Sequence, residues 1–177
     1  MKKAYLTIIL LACIAASVSA QKLEKPNIDK IKGDTTWQTS DERIYTQLGL
    51  VTARLLYTHM EKIGKSYVLV LKIDNMNGPR IFSIGAENIT NIKFTDNSVI
   101  NLSPTVGGDS HVTYNTEANR IINLVFYSLE KEDIETLRTK SISIVRIATT
   151  GAANFDYEIK PKNADLIKKE LDLILTK

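Results

Sequence analysis

Tyr67-Val68-Leu69-Val70-Leu71-Lys72-Ile73 is a run of aliphatic and β-branched residues, apolar at odd and even positions alike. A strand covered on both faces has this pattern, which places the run at the centre of a sheet. Asp74-Asn75-Met76-Asn77-Gly78-Pro79 follows at once and predicts a sharp break, because turn formers replace core formers.

Upstream, Val51, Ala53, Leu55 and Tyr57 alternate with Thr52, Arg54 and Thr58. That period of two predicts a half-buried strand with the first set inward, and it carries His59 onto the same side. Downstream, Ile92-Lys93-Phe94-Thr95 and Val99-Ile100-Asn101-Leu102 flank Asp96-Asn97-Ser98, a hairpin signal. Residues 103–110, with Pro104, Gly107 and Gly108, read as a loop, 112–114 as a short strand and 121–129 as a long one. Residues 130–138 suit a short surface helix. Residues 142–148 and 154–160 suit another hairpin, with Phe155, Tyr157 and Ile159 inward.

The last segment has helical spacing. Pro161 and Asn163 mark its start, and Ala164, Ile167, Leu171, Ile174 and Leu175 share a face. Lys168, Lys169, Glu170 and Asp172 are placed on the opposite, wet side. The fold expected is mainly β, about eight antiparallel strands in a sandwich or partly closed barrel. A short helix lies between strands, and a C-terminal helix covers the sheet. An α+β arrangement is the alternative.

The N-terminus is organised differently. Lys2 and Lys3 precede the apolar stretch Leu6 to Ile14, and Val18-Ser19-Ala20 offers small residues before Gln21. This is the three-part layout of a secretory signal peptide, too short in its apolar part to span a bilayer. The expected organisation is a signal over 1–20, an irregular polar segment over 21–40 containing Trp37, and one β-rich domain over 41–177. Leu10-Leu11-Ala12-Cys13 also resembles the lipobox of bacterial lipoproteins, which implies an outer-membrane anchor on a lipidated Cys13. Secretion to the periplasm or beyond is the first expectation and lipidation the alternative.

Export also changes the charge. The chain has 177 residues with 23 basic and 20 acidic side chains. Without Lys2 and Lys3 the two kinds differ by one. No basic field argues for nucleic acid, and a membrane partner is expected only if Cys13 is lipidated. The single cysteine lies inside the signal, so disulfides and thiolate chemistry are not expected in the exported domain.

Motifs for chemistry are sparse. Histidines occur only at 59 and 111, and no His-x-x-x-His pair exists. The run from Asp74 to Gly78 partly matches a calcium loop, but Met76 holds a ligand position and Gly85 stands where a bidentate glutamate belongs. Asp109-Ser110-His111 contains the triad residue types, yet adjacent residues of an extended segment point to opposite sides. Asn88-Ile89-Thr90 and Asn101-Leu102-Ser103 match the glycosylation sequon but, after a bacterial style of signal, read as chance.

No cofactor or metal is expected. The function expected is an exported, non-catalytic binding or structural module of a Gram-negative envelope. It would hold a protein, glycan or small ligand through loops at one end of the sheet. Candidate contact residues are Asp74, Asn75, Asn77 and Arg80 in one loop and Gly107, Gly108, Asp109 and His111 in another. A carrier with an apolar cavity lined by Leu55, Leu69 and Phe126, and a small periplasmic hydrolase using His59 or His111, are the alternatives.

Overall fold

The computed structural model describes residues 21–28, 35–77, 82–105, 113–115, 120–151 and 153–177. Along the chain run β1 (Asn27–Ile28), β2 (Thr35–Gln38), β3 (Glu42–Leu48), β4 (Ala53–Ile63), β5 (Ser66–Met76), β6 (Thr90–Phe94) and β7 (Val99–Leu102). Then come β8 (Thr113–Asn115), β9 (Arg120–Leu129), α1 (Lys131–Thr139), β10 (Ile142–Ile147), β11 (Phe155–Glu158) and α2 (Leu166–Ile174). The molecule is mainly β: two antiparallel sheets form a sandwich-like pair, α2 packs on the sheet, and among the described residues no barrel closes.

The apolar run is the centre of the larger sheet, whose order is β1-β2-β4-β5-β9-β8. β3 also pairs with β4, beyond the end of β2. Thr39 manages the gap between them. Its N–H donates to the Met60 carbonyl at 2.9 Å, and its hydroxyl accepts the Met60 N–H at 2.9 Å. The smaller sheet has the order β11-β10-β6-β7, built from the two hairpins expected from sequence.

Register decides which residues meet. Leu56, Thr58 and Met60 of β4 lie opposite Ile73, Leu71 and Leu69 of β5, and all six are buried. Leu71 and Leu69 lie in turn opposite Val125 and Tyr127 of β9. Ile92, Phe94, Val145, Ile147, Phe155 and Tyr157 of the smaller sheet join them in one core. The Tyr127 hydroxyl reaches the Thr90 hydroxyl across the sandwich at 2.7 Å, which satisfies both buried groups. α2 closes the core with Ile167, Leu171 and Ile174.

Four expectations need correction. The inward set on β4 is Leu56, Thr58 and Met60, not Val51, Ala53, Leu55 and Tyr57. Both sets have period two, and only pairing with β5 selects between them. β5 does not stop at Ile73 but runs to Met76, so Asp74 and Asn75 are buried strand residues, not loop residues. Within the segment read as irregular, Thr35–Gln38 form a strand, and Trp37 lies under the Lys177 ammonium at 5.1 Å from its ring centre. Glu170 is fully buried, because a period of 3.6 puts it beside Ile167, Leu171 and Ile174.

Candidate functional site

β4 carries polar clusters on both of its faces. On the outer face, His59 is 5% exposed and both ring nitrogens are engaged. Nδ1 lies 2.7 Å from Asp41 Oδ1 and Nε2 lies 3.3 Å from Glu61 Oε1. The second Asp41 oxygen accepts from the Lys72 ammonium at 2.7 Å. Burial, the largest single effect, pushes the ring toward neutrality. The hydrogen bonds of Asp41 and Glu61, with their charges, outweigh it and hold the His59 pKa at about 9. The His59 bond in turn lowers the Asp41 pKa to about 2, against burial and with help from Lys72.

An acid–histidine pair resembles half of a catalytic relay. Here the nitrogen that would face a nucleophile holds a second carboxylate, and a ring charged at neutral pH has no lone pair to accept a proton. The arrangement is an ionic clamp joining the segment before β3 to β4 and β5.

On the inner face, the same strand presents the opposite situation. Arg54 lies opposite Asn75, and Asn123 lies opposite Ile73, one diagonal step away on the same face. The Arg54 guanidinium lies over the rings of Phe155 and Tyr157, 5.2 and 5.3 Å from their centres. The carboxylate of Asp156, on the outer side of β11, is held by Arg146 at 2.6 and 2.7 Å. Arg54 Nε, both amide atoms of Asn75, both amide atoms of Asn123 and the Tyr157 hydroxyl are buried without a hydrogen-bond partner. Burial pushes the Tyr157 phenol pKa up, opposed by the Arg54 charge and by a loose Arg54 N–H contact to the hydroxyl that falls outside hydrogen-bond geometry. Such orphaned groups are rare in native interiors, and each costs stability until something pairs with it.

The third feature is the turn that precedes Arg54. The Gly49 N–H donates to the Thr52 carbonyl at 2.8 Å and closes a tight β3–β4 connection around Leu50 and Val51. Any Cβ at position 49 would meet Thr52 Oγ1 at 2.5 Å, so the glycine permits the close approach. Leu50 is fully exposed, and Leu48 and Val51 are 73% and 68% exposed. The Asn77 amide donates to the Val51 carbonyl at 2.5 Å and ties the end of β5 to this tip.

Of the residues singled out from sequence, Asn75 belongs to the inner cluster and Asn77 braces the tip. Asp74 is buried on the outer side of β5, opposite Leu55 and Ile122. Arg80, Gly107, Gly108, Asp109 and His111 lie outside the described residues. Leu69 faces the core while Leu55 and Phe126 share the opposite face of the sheet, so these three do not line one cavity. Among the described residues, no three His, Cys, Asp or Glu side chains are placed to hold a metal ion.

Sequence reading missed Arg54, Asn123, Tyr157 and the Leu48–Val51 tip. Asn123 had a signal, as a polar residue interrupting an otherwise apolar run, whereas Arg54 fitted the polar half of the alternation read for β4. The tip had one in aliphatic residues at a turn, where Asn, Asp and Gly are usual. No protein-family model, curated protein or solved structure matches the chain.

Proposed function

We propose that this chain is an exported, non-catalytic binding module of a Gram-negative envelope, which docks on a protein partner through the end of the larger sheet formed by the β3–β4 turn and Asn77. One observation carries the reading: Leu48, Leu50 and Val51 stand exposed together on a single closed turn. Contiguous aliphatic surface is costly in water and marks contact sites more often than it decorates a monomer. Residues 44–53 contain no charged side chain, so the β3–β4 turn itself brings no charge to be desolvated in a contact with another protein. The commitment of His59 to two carboxylates supports the non-catalytic part, and the layout of residues 1–20 supports export.

The test places a photo-crosslinking amino acid at position 50 and, as a control, at exposed Glu135 on α1, during expression in a Gram-negative host. The reading expects a periplasmic chain beginning at Gln21 and a discrete adduct from position 50 alone. Retention of Met1 refutes export. Identical or absent adducts from both positions refute docking at the tip.

A further inference from the structure

We propose that Arg54, Asn75, Asn123 and Tyr157 form an internal anion site at the tip end of the sandwich, and that its ligand is a small organic carboxylate. The site is separate from the docking surface, and its failure leaves that reading untouched.

The chain has seven buried polar side-chain atoms without a partner among its described residues, and six belong to these four residues. The seventh, Glu170 Oε1, sits on α2, where the other Glu170 oxygen accepts from Thr58 at 3.1 Å. Orphans scattered through a core reflect imperfect packing. Six confined to neighbouring positions on β4, β5 and β9 and to Tyr157 of the facing sheet describe a missing component.

Their chemistry names that component. Arg54 Nε–H, the two amide NH2 groups and the phenol O–H are all donors. The acceptors are the two amide oxygens and the phenol oxygen. One guanidinium supplies the only charge of the cluster, and its planar fork matches a carboxylate. A single positive charge amid neutral donors suits a monoanion better than a phosphate dianion. The nearby Asp156 carboxylate feels the Arg54 charge, but its hydrogen bonds go to Arg146, which leaves the Arg54 fork without a carboxylate bonded to it.

The aromatic surroundings of Arg54 favour an organic ion over a mineral one. Phe155 and Tyr157 carry the guanidinium on their faces, and Phe82 packs edge-on against Phe155 with ring centres 5.0 Å apart. Arg54 is itself half-buried and directly follows the exposed turn, so it is the cluster member with an outlet to solvent. A carboxylate bound there would answer the guanidinium and the amide donors in a place from which water is largely excluded, where charge-assisted hydrogen bonds are strongest.

Thermal unfolding of the purified chain tests the assignment, with benzoate and acetate as probes and sodium chloride at matched ionic strength as control. The expected result is a saturable rise in the midpoint with both carboxylates, about 5 °C at a hundredfold excess over Kd, and no comparable rise with chloride. Arg54→Gln should abolish the response, and the surface double variant Lys160→Gln/Lys162→Gln should keep it. Asn75→Asp covers the case in which Arg54→Gln fails to fold. It places a carboxylate opposite Arg54, and should melt above the wild type without ligand and ignore benzoate. The proposal is overturned if the wild type answers carboxylates no better than chloride, or if Asn75→Asp melts lower and still responds to benzoate.

Discussion

His59 and Arg54 stand on the same strand, five positions apart, and look out of opposite faces of one sheet. Both are cationic groups, His59 buried and Arg54 half-buried, yet their surroundings differ in kind. Two carboxylates and a lysine complete the His59 cluster, so every strong donor and acceptor around the ring is answered within the chain. Arg54 rests on two aromatic faces beside amides that have nothing to bond. A saturated cluster spends its interactions on holding the fold together. An unsaturated one retains capacity for something outside the chain, and the fold tolerates its cost. That contrast separates a structural polar centre from a binding one more sharply than residue identity does, since histidine is the usual suspect for function and here is the clamp.

The largest effect should come from the saturated side. Replacing His59 with Ala leaves Asp41 and Glu61 facing each other without the cation between them, and should destabilise the chain by about 3 kcal/mol. Denaturant unfolding at pH 7 measures it, and a loss below about 0.5 kcal/mol would show that the His59 cluster does not clamp the fold.

The pH dependence follows from the same ring. Its pKa rises from 6.5 in the unfolded chain to about 9 in the folded one. The stabilisation is therefore complete below pH 6.5 and disappears as pH climbs through 9. The expected loss is about 2 kcal/mol, moderated by screening, because Asp41 is 35% exposed. Asp41 gives the mirror effect in acid. Its folded pKa lies below the unfolded value, so its contribution is lost as pH falls from 3.8 through 2. A stability profile of wild type against His59→Ala, flat in the variant between pH 6.5 and 9, would establish the assignment. An unchanged slope would break it.

Glu170 is a third kind of buried polar group, half-answered by Thr58. Burial raises its pKa well above 4.5, with the Thr58 bond and the His59 charge opposing. Ionisation of the unfolded chain then works against folding at any pH above 4.5, and the stability it contributes in acid is lost as pH rises. Glu170→Gln keeps the Thr58 hydrogen bond and removes the titration, so it should gain about 1–2 kcal/mol at pH 7 and nothing at pH 4. A loss at pH 7 would show that the carboxyl has a charged role.

On the orphaned side the sign reverses. Asn123→Leu removes two unpaired amide atoms from a dry interior, and should raise ligand-free stability by about 1 kcal/mol. A marked loss would mean that Asn123 is already answered inside the fold, and the contrast with His59 would collapse. Leu50→Ser should move stability by less than about 0.5 kcal/mol, because the side chain touches little, while reducing any partner contact made by the tip.

Much of the architecture was readable in residue order because strands and helices advertise themselves by period. The 67–73 run became the central strand, Asp96-Asn97-Ser98 turned its hairpin with Asn97 at φ 67°, and the charged 130–138 stretch became α1. The errors share one cause. Period does not specify phase when both faces of a strand carry apolar residues, and the choice on β4 was made by its partner β5. Glu170 was misplaced by residue type alone, although its helical position already put it on the apolar stripe. Of the candidate site, only Asn75 and Asn77 were singled out in advance, and both for a loop role. Asn75 is a buried strand residue, and Asn77 a turn residue whose amide braces the neighbouring hairpin.

Residue order by itself determined the export-signal pattern, the near-neutral charge of the domain, the strand and helix succession and the β-rich class, because each depends on neighbours along the chain. Only the tertiary structure decided that His59 is clamped, that Glu170 is buried, and that Arg54, Asn75, Asn123 and Tyr157 meet between the two sheets. Those facts depend on register between strands far apart in sequence and on the packing of one sheet over another. Whether a polar side chain is satisfied is a property of what surrounds it in space.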